Sequence, residues 1–395
     1  MAVIYKKLGE IADISAGGTP KRSNPTYWKN GNIPWVKISD IKGKYLEKTE
    51  EFITEDGLNN SSAKLFKKGT LLYTIFATIG ECAILNINAS TNQAIAGINV
   101  KSEKVLTEYL YYFLKSIKNT VVNTGRGVAQ NNINLSILKN IDVPLPEIEV
   151  QKKIINLLNK SNELVIKRKS QIEALDQLTQ SVFLEMFGDP VLNNMNWNTQ
   201  KLSETGQLKR GLSKHRPRNA PELLGGAYPL VQTGDISKSG IFIKQYTQTY
   251  SELGLKQSKL WPAGTLCITI AANIAETGIL TFDACFPDSI VAYLPNSYMS
   301  NIYVHTWFSF LQRIIEANAP ESAQKNINLK ILSELEIPVP PFEKQKKFEN
   351  FILNLENKRK LFEFSLFELE NSFNSLMQRA FKGELFTEKE EVSAL

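Results

Sequence analysis

The chain has 395 residues, of which 43% are hydrophobic, and a net charge of +6 with a pI near 8.9. This length allows two or three domains, and the apolar fraction is ample for packed cores. The mildly basic charge permits a polyanionic partner without establishing one. No apolar run approaches the roughly 18 residues of a membrane helix and the N-terminus lacks a signal-peptide core, so we expect a soluble, cytoplasmic chain without a membrane partner.

The cysteine and histidine content argues against disulfides and zinc. The three cysteines, Cys82, Cys267 and Cys285, have no CxxC spacing, which is typical of reduced thiols in a core. The only two histidines are His215 and His305. With no paired cysteines beside them, a zinc site is not expected, and we predict no bound metal.

Residues 1–146 are predicted to form a first α+β domain. Gly17-Gly18-Thr19-Pro20 opens a polar loop, after which Ile33–Ile38 and Leu71–Ile75 have the composition of strands. Shorter strands are expected at Ala83–Leu85 and Ala94–Ala96. An amphipathic helix follows from Glu108 to Lys118, with Thr107 as its predicted cap.

The next stretch of the chain occurs twice. Asn132-Ile133-Asn134-Leu135 leads through Pro144-Leu145-Pro146 to Gln151-Lys152-Lys153 and a long helical pattern that ends at Phe187. The second copy starts at Asn326 and ends at Phe381, at a constant offset of 194 (326 − 132 and 381 − 187). A long ungapped match of this kind indicates a duplicated unit.

Each copy contains a predicted long helix, over residues 147–189 and 341–385. Steps of four and three residues along both helices meet mainly apolar side chains, a heptad pattern that predicts a coiled coil. Alternatively, each helix is simply the core helix of its own half. The predicted seam consists of Ile154, Leu158, Val165, Ile172, Leu175, Val182, Phe348, Ile352, Leu355, Phe362, Leu366, Leu369, Phe373 and Leu376.

Residues 190–340 are predicted to form a second domain on the plan of the first, and residues 386–395 a C-terminal tail. Tyr228-Pro229-Leu230-Val231 corresponds to the strand at Ile33, and Asn301 to Ile315 corresponds to the amphipathic helix. If each domain has its entry and exit close together, the second helix runs back along the first. We therefore predict an α+β fold with two globular domains in a pseudo-two-fold arrangement, joined by two long antiparallel helices. The paired helices would fix the distance between the domains.

A search for catalytic patterns finds none. Asn24-Pro25-Thr26-Tyr27 is similar to the adenine-binding loop of adenine methyltransferases, but the second proline of that loop is missing and no Gly-rich loop follows a strand. No GxxxxGK[ST] loop is present for ATP. Asp40 and Asp235 each stand alone after a strand, which favours a hydrogen-bond acceptor over a nuclease metal ligand. We therefore predict no catalytic residue in this chain.

Polar and basic loops remain as candidates for DNA binding. Amide side chains can pair with adenine, and Arg or Lys with guanine. Alternatively, the basic residues form only a solvated loop and the Asn and Gln side chains only stabilise turns. The candidate residues are Lys21, Arg22, Asn24, Lys37, Asp40, Arg126, Gln130, Asn131, Lys214, His215, Arg216, Arg218, Gln232, Asp235, Gln324 and Lys325.

These motifs together match a known family. Gly17-Gly18-Thr19-Pro20, Ile33-Pro34-Trp35-Val36, Gly69-Thr70-Leu71-Leu72, Asn92-Gln93-Ala94 and Gln130-Asn131-Asn132-Ile133 resemble the DNA-specificity subunit of Type I restriction–modification systems. The resemblance covers nearly the whole chain. The second half departs from it, with Lys214-His215-Arg216-Pro217-Arg218 in place of a Gly-Gly-Thr-Pro loop.

The resemblance implies a division of labour. Two target-recognition domains would each read one half of an asymmetric, bipartite site in double-stranded DNA, and the repeated helices would set the gap and dock two modification (methyltransferase) subunits. S-adenosylmethionine, ATP and Mg²⁺ would belong to the modification and restriction subunits, and this chain would bind no cofactor. Two other readings stay open: a specificity module for a combined restriction and methylation enzyme, and a coiled-coil adaptor that binds no DNA.

Overall fold

A computed structural model describes residues 4–125, 133–215, 217–271, 275–310 and 327–386 of the chain. These residues form two compact units. The first comprises Met1–Lys169 and Phe364–Leu395, and the second comprises Ser170–Glu363. Each unit therefore contains one predicted domain together with half of each long helix.

The first unit contains a five-stranded, a four-stranded and a two-stranded sheet. The strand order of the five-stranded sheet is Ala12–Ala16, Ile95–Val100, Leu71–Thr74, Cys82–Leu85 and Tyr45–Leu46. The strand order of the four-stranded sheet is Glu51–Ile53, Ile33–Val36, Ala89–Thr91 and Leu65–Phe66. The two-stranded sheet pairs Ile4–Lys7 with Asp142–Leu145. Its shorter helices are Leu8–Ile11, Glu55–Asn59, Thr107–Ser116, Lys118–Gly125 and Leu135–Lys139, with 3₁₀ turns at Pro25–Tyr27 and Ile38–Asp40.

The second unit repeats this plan strand for strand. The strand order of its five-stranded sheet is Gly206–Arg210, Ile290–Pro295, Leu266–Thr269, Thr277–Leu280 and Phe242–Ile243. The strand order of its four-stranded sheet is Gln248–Tyr250, Leu224–Leu230, Ala284–Cys285 and Leu260–Trp261. Its two-stranded sheet pairs Thr199–Lys201 with Glu336–Pro338. Its shorter helices are Leu202–Thr205, Thr233–Ser237, Glu252–Lys256, Asn301–Phe308 and Leu329–Glu334, with a 3₁₀ turn at Pro221–Leu223.

The central strands are buried on both faces because each five-stranded sheet lies between two apolar layers. In the first unit Leu71 and Tyr73 belong to the core that contains the helix Thr107–Ser116, whereas Leu72 belongs to a separate core with Val36 of the second sheet. Alternate residues of a strand point to opposite faces of its sheet. The continuous apolar run Leu71-Leu72-Tyr73 is therefore what a strand between two layers requires.

The two long helices, Ile148–Phe187 and Phe342–Phe381, each have 40 residues. In the first unit Ile154, Leu158 and Val165 share one apolar core with Phe373. The start of the first long helix thus lies beside the end of the second, an antiparallel pairing that the ion pair Lys169–Glu370 (2.8 Å) supports. In the second unit the corresponding core contains Leu175, Phe348, Ile352 and Leu355, and Arg359 pairs with Asp176.

All the predicted seam side chains are buried or partly buried. The burial also extends beyond the heptad positions, to Ile155, Phe183, Phe187 and Met377. These residues lie near helix ends, where each helix packs on its domain as well as on the other helix and so buries a wider face. The coiled-coil interpretation and the core-helix alternative therefore both describe part of each helix.

One expected helix cap is wrong. The helix that begins at Thr107 has Leu106 at its N-cap position, and the side chain of Thr107 does not cap it. The acceptor is Gln151 of the first long helix, whose Oε1 accepts from the Leu106 N–H at 3.0 Å. In the second unit Gln345 Oε1 accepts from the Ser300 N–H at 2.9 Å. A buried glutamine thus ties each long helix to its domain.

The predicted α+β fold, with duplicated domains joined by a long helix, is confirmed. Cys82, Cys267 and Cys285 are all buried, and burial raises the pKa of the Cys82 thiol to about 12. Among the described residues, no helix has the length and apolarity needed to cross a membrane. The same residues contain no cluster of three His, Cys, Asp or Glu side chains suited to a metal ion.

Candidate nucleic-acid interface

The two units build the same turn after corresponding strands. In the first unit the Asp40 carboxylate accepts a hydrogen bond from the Lys37 N–H at 2.8 Å, where the strand Ile33–Val36 ends. In the second, the Asp235 carboxylate accepts from the Gln232 N–H at 2.9 Å. Each aspartate side chain thereby holds the start of the short helix that follows. Asp40 and Asp235 thus fix the turn that presents the side chains of residues 37 and 232.

In the first unit this turn presents an ion-pair cluster. Lys37 Nζ lies 3.0 Å from Glu50 and 3.0 Å from Glu51. Hydrogen bonds to Glu51 and Glu50 raise the pKa of Lys37 above its usual value. The pKa of Glu51 is lowered, first through its hydrogen bond from Arg22 and then through Lys37. The cluster is therefore fully ionised at neutral pH.

Arg22 is held in place by two tryptophans as well as by Glu51. Its guanidinium lies 3.7 Å from the ring centroid of Trp28 and 4.8 Å from that of Trp35, distances typical of cation–π contacts. Trp35 is buried, and its indole N–H donates to the Gly18 carbonyl at 3.0 Å. Arg22 nevertheless keeps 52% of its side chain exposed, so an already ordered cation faces outward.

The remaining described candidates of the first unit serve mixed purposes. Asn24 Oδ1 accepts from the Thr26 N–H at 3.2 Å and so caps the turn Pro25–Tyr27. Lys21 is exposed, and its carbonyl accepts from the Trp28 indole at 3.3 Å. The glycines of the Gly17-Gly18 pair are required sterically, since a Cβ on Gly17 would lie 2.0 Å from Thr91 Oγ1. Asn24 and the glycine pair therefore shape the loop that carries Arg22.

In the second unit the turn faces a small polar cleft of about 310 Å³. Gln232 Nε2 donates to Gln248 Oε1 at 2.5 Å, and Arg218, which also lines the cleft, pairs with Asp288. The other residues that line it are Asn219, Leu230, Thr233, Tyr250, Pro287 and Ser289. Arg218 and Gln232, two predicted candidates, are therefore brought together here.

Lys214 and His215 are exposed but do not line this cleft. The Lys214 N–H donates to the Gln257 carbonyl at 3.3 Å, and the His215 N–H donates to Gln257 Oε1 at 3.1 Å. Gln257 therefore anchors the backbone of the basic loop, while Lys214 itself stays exposed. The predicted candidates Arg126, Gln130, Asn131, Arg216, Gln324 and Lys325 lie outside the described residues.

A second cleft of the second unit, about 640 Å³, is lined by charged groups of opposite sign. Glu356 lies 3.1 Å from Arg359 and 3.4 Å from Lys244. His305 Nδ1 lies 2.9 Å from Thr277 Oγ1, and burial lowers the pKa of His305 to about 4, so its imidazole is neutral at physiological pH. Three cations (Lys238, Lys244 and Arg359) and four carboxylates (Asp176, Glu276, Glu356 and Glu363) line the cleft. It therefore carries no excess of positive charge that would favour a phosphate.

Sequence reasoning missed Trp28, Trp35 and Glu51, which contact Arg22, and Gln248, which bonds to Gln232. Trp35 lies within the motif Ile33-Pro34-Trp35-Val36, and Trp28 directly follows Asn24-Pro25-Thr26-Tyr27. The nearness of both tryptophans to Arg22 in sequence was therefore the available signal. No such signal exists in the sequence for Gln248. The loop before it is longer in the second half, so its position does not align with Glu51 at the offset of the preceding strand. Strand register identifies it, since Glu51 pairs with Trp35 and Gln248 with Leu230.

A family model and individual relatives point to the same family of proteins. A family model of the Type I restriction modification DNA specificity domain matches residues 3–174 and 194–370. The MjaIX specificity subunit of Methanocaldococcus jannaschii is 28% identical over 65% of this chain and 62% of its own length. The EcoR124I/EcoR124II specificity subunit of Escherichia coli is 29% identical over 41% of each chain. The matches thus span less than two thirds of these two relatives.

The fold agrees with a solved structure. A chain of the type I R-M system, from work on its complex assembly and conformational transition, superposes with a TM-score of 0.61. The superposition covers 98% of this chain and all of the other, at 18% sequence identity. At this identity the likeness establishes the architecture alone.

Proposed function

This chain belongs to the family of Type I restriction modification DNA specificity domains, and from that premise we propose that it is the DNA-reading subunit of such a system. Each unit reads one half of a bipartite site in double-stranded DNA. The long helices set the distance between the halves and dock the methyltransferase subunits. The chain itself carries out no chemistry.

The observation that carries this proposal is a framework built twice with different side chains on it. Both units have the same strand order and the same aspartate-capped turn. At that turn one unit presents Lys37 among ionised groups and the other presents Gln232 in an amide pair. A duplicated scaffold with different reading groups fits a site whose two halves differ in sequence.

Cations of the loops are proposed to contact phosphates or base edges. Phosphate contacts release counterions, so binding should weaken steeply as salt rises. Lys214 supports this proposal because it is exposed in a loop whose backbone is anchored to Gln257. The complete proposed set is Lys21, Arg22, Lys37, Arg126, Lys214, Arg216, Arg218 and Lys325.

The helices offer surface for the proposed modification subunits. In the first unit the second long helix exposes 67% of Phe364 and 58% of Phe367, and the first long helix exposes 52% of Leu164 and 55% of Ile166. Large apolar side chains left in water on helices are typical of surfaces that a partner covers. The partners would supply S-adenosylmethionine, and restriction subunits would supply ATP and Mg²⁺ chemistry.

Reconstitution tests the proposal. Methyl transfer from labelled S-adenosylmethionine to DNA would be measured for the modification subunits with and without this chain. We expect transfer to adenine only when the chain is present, and a rate that falls as salt is added. Equal transfer without the chain would refute the proposal. Failure of the full assembly to retain DNA at low salt would instead favour a coiled-coil adaptor.

A further inference from the structure

The corresponding turns of the two units present side-chain pairs of different chemistry. Trp35 in the first unit and Leu230 in the second occupy the same strand position. Trp35 pairs with Glu51 on one side and with Ser90 on the other. Leu230 pairs with Gln248 and with Cys285 in the same arrangement. Glu51 and Gln248 are therefore equivalent positions, although their offset in sequence is 197 (248 − 51), compared with 195 (230 − 35) for the strand.

The side chains that bond to Glu51 and Gln248 also occupy equivalent positions. Lys37 follows Trp35 by two residues, Gln232 follows Leu230 by two residues, and each has its N–H bonded to an aspartate of the same turn. Lys37 Nζ then reaches Glu51 at 3.0 Å, and Gln232 Nε2 reaches Gln248 at 2.5 Å. The fold thus holds one side-chain pair at the same place in both units, as an ion pair in the first and an amide pair in the second.

We infer that these pairs, Lys37–Glu51 and Gln232–Gln248, determine which base pair each unit requires at one position of its half-site. The inference rests on the proposed function and adds the residues that discriminate between bases. It assigns a reading role to Glu51 and Gln248 as well as to the two residues that follow the strands.

The unused hydrogen-bonding groups of the amide pair fit an A·T pair. Its one internal bond occupies one amide N–H and one amide carbonyl. Whichever way the two amides are turned, one NH₂ and one carbonyl oxygen remain for another partner. Adenine presents an acceptor at N7 beside a donor at N6 in the major groove. The second unit is therefore expected to require A·T at the position that this pair reads.

The ionic cluster fits a G·C pair. Arg22 and Lys37 have N–H groups beyond those bonded to Glu50 and Glu51, and guanine presents two acceptors, O6 and N7. A carboxylate can accept from the amino group of the paired cytosine. The two cations and two carboxylates cancel in charge, so the cluster as a whole gains little from phosphates. Base reading is therefore the better use of this surface.

Exchange of the pairs between the units tests the inference. The variant Lys37→Gln/Glu51→Gln gives the first unit the amide pair, and Gln232→Lys/Gln248→Glu gives the second the ion pair. Methylated motifs would be mapped by single-molecule sequencing in cells that carry the otherwise intact locus. We expect each exchange to change the base requirement at one position of one half-site, with methylation of the original motif reduced on the order of tenfold.

A matched control separates reading from loss of charge. The variant Lys101→Gln/Asp13→Asn removes an ion pair of 3.1 Å from the same unit with the same change in charge, and it should leave the motif unaltered. If an exchange abolishes methylation altogether, the single variant Gln248→Glu tests the inference instead. The Gln248 side chain is exposed, so this change should not disturb folding. An altered position in the motif would support the inference.

The outcomes also distinguish this inference from the proposed function. If the unaltered locus produces no motif that depends on this chain, the proposed function fails. If it produces one, and the exchanges or Gln248→Glu leave every position of that motif unchanged, the pairs do not read bases and the inference alone is overturned. A uniform loss of methylation at all sites for Gln248→Glu would likewise overturn it.

Discussion

At the scale of single residues, two buried glutamines join the long helices to the domains. Gln151 is fully buried and makes three hydrogen bonds to backbone groups: it accepts from the Leu106 N–H and donates to the carbonyls of Lys104 and Pro146. Gln345 makes the corresponding bonds to Ser300, Tyr298 and Pro340. Each glutamine therefore fixes where its helix begins relative to the domain of the same unit.

Substitution of one glutamine should be costly. Gln151→Ala would leave the Leu106 N–H and two carbonyls without their partner, and we expect the free energy of unfolding to fall by about 1–3 kcal/mol. Urea denaturation followed by circular dichroism would measure it. Lys152→Ala, which removes only an exposed pair with Glu149, is the control. Equal midpoints for both variants would contradict the assigned role of Gln151.

These residues also show what sequence reasoning cannot reach. Gln151 stands in the polar run Gln151-Lys152-Lys153, where its side chain has the pattern of a solvated helix surface. Its burial depends on the carbonyls that another part of the chain brings to it. For Asp40 and Asp235 the sequence predicted a hydrogen-bond acceptor, and both carboxylates accept a backbone N–H. An isolated carboxylate after a strand commonly does so.

At the scale of elements, apolar periodicity predicted the long helices and their packing face. It could not predict Phe183, which lies next to the heptad position Val182 and is completely buried. The Phe183 ring stacks at 5.5 Å on Tyr303 and meets Phe348 edge-on at 5.7 Å. A period of seven describes packing between two helices, whereas Phe183 contacts both the partner helix and the domain.

Phe183 is accordingly expected to dominate the stability of the second unit. Phe183→Ala should lower the free energy of unfolding by about 3–5 kcal/mol, since it removes a buried ring and leaves a cavity. Phe364→Ala makes the same chemical change at a side chain that is 67% exposed and should change stability by less than about 0.5 kcal/mol. Guanidinium unfolding of both variants gives the comparison, and similar midpoints would contradict this packing.

The strands were predicted unevenly for a similar reason. Apolar runs such as Leu71-Leu72-Tyr73 marked the buried strands correctly. Short strands such as Tyr45–Leu46 and Leu65–Phe66 were not predicted, because two residues give no periodicity. The equivalence of Glu51 and Gln248 depends on pairing between such short strands, so it became visible only with the register.

At the scale of the whole molecule, the duplicated framework fits the proposed reading of two different half-sites by one chain. The strand order and the aspartate-capped turn are common to both units, while the side chains they present differ. The family follows from motifs distributed over nearly all of the chain. The proposed base requirements do not follow from those motifs, because they rest on pairs of side chains that the fold brings together.

The most direct test of this account is to map modified bases by single-molecule sequencing in cells with the intact locus and in cells lacking only this gene. We expect a bipartite, asymmetric motif with one methylated adenine on each strand, which disappears when the gene is deleted and returns when it is restored. A motif that persists unchanged after deletion, in cells where the modification subunits are expressed, would contradict it.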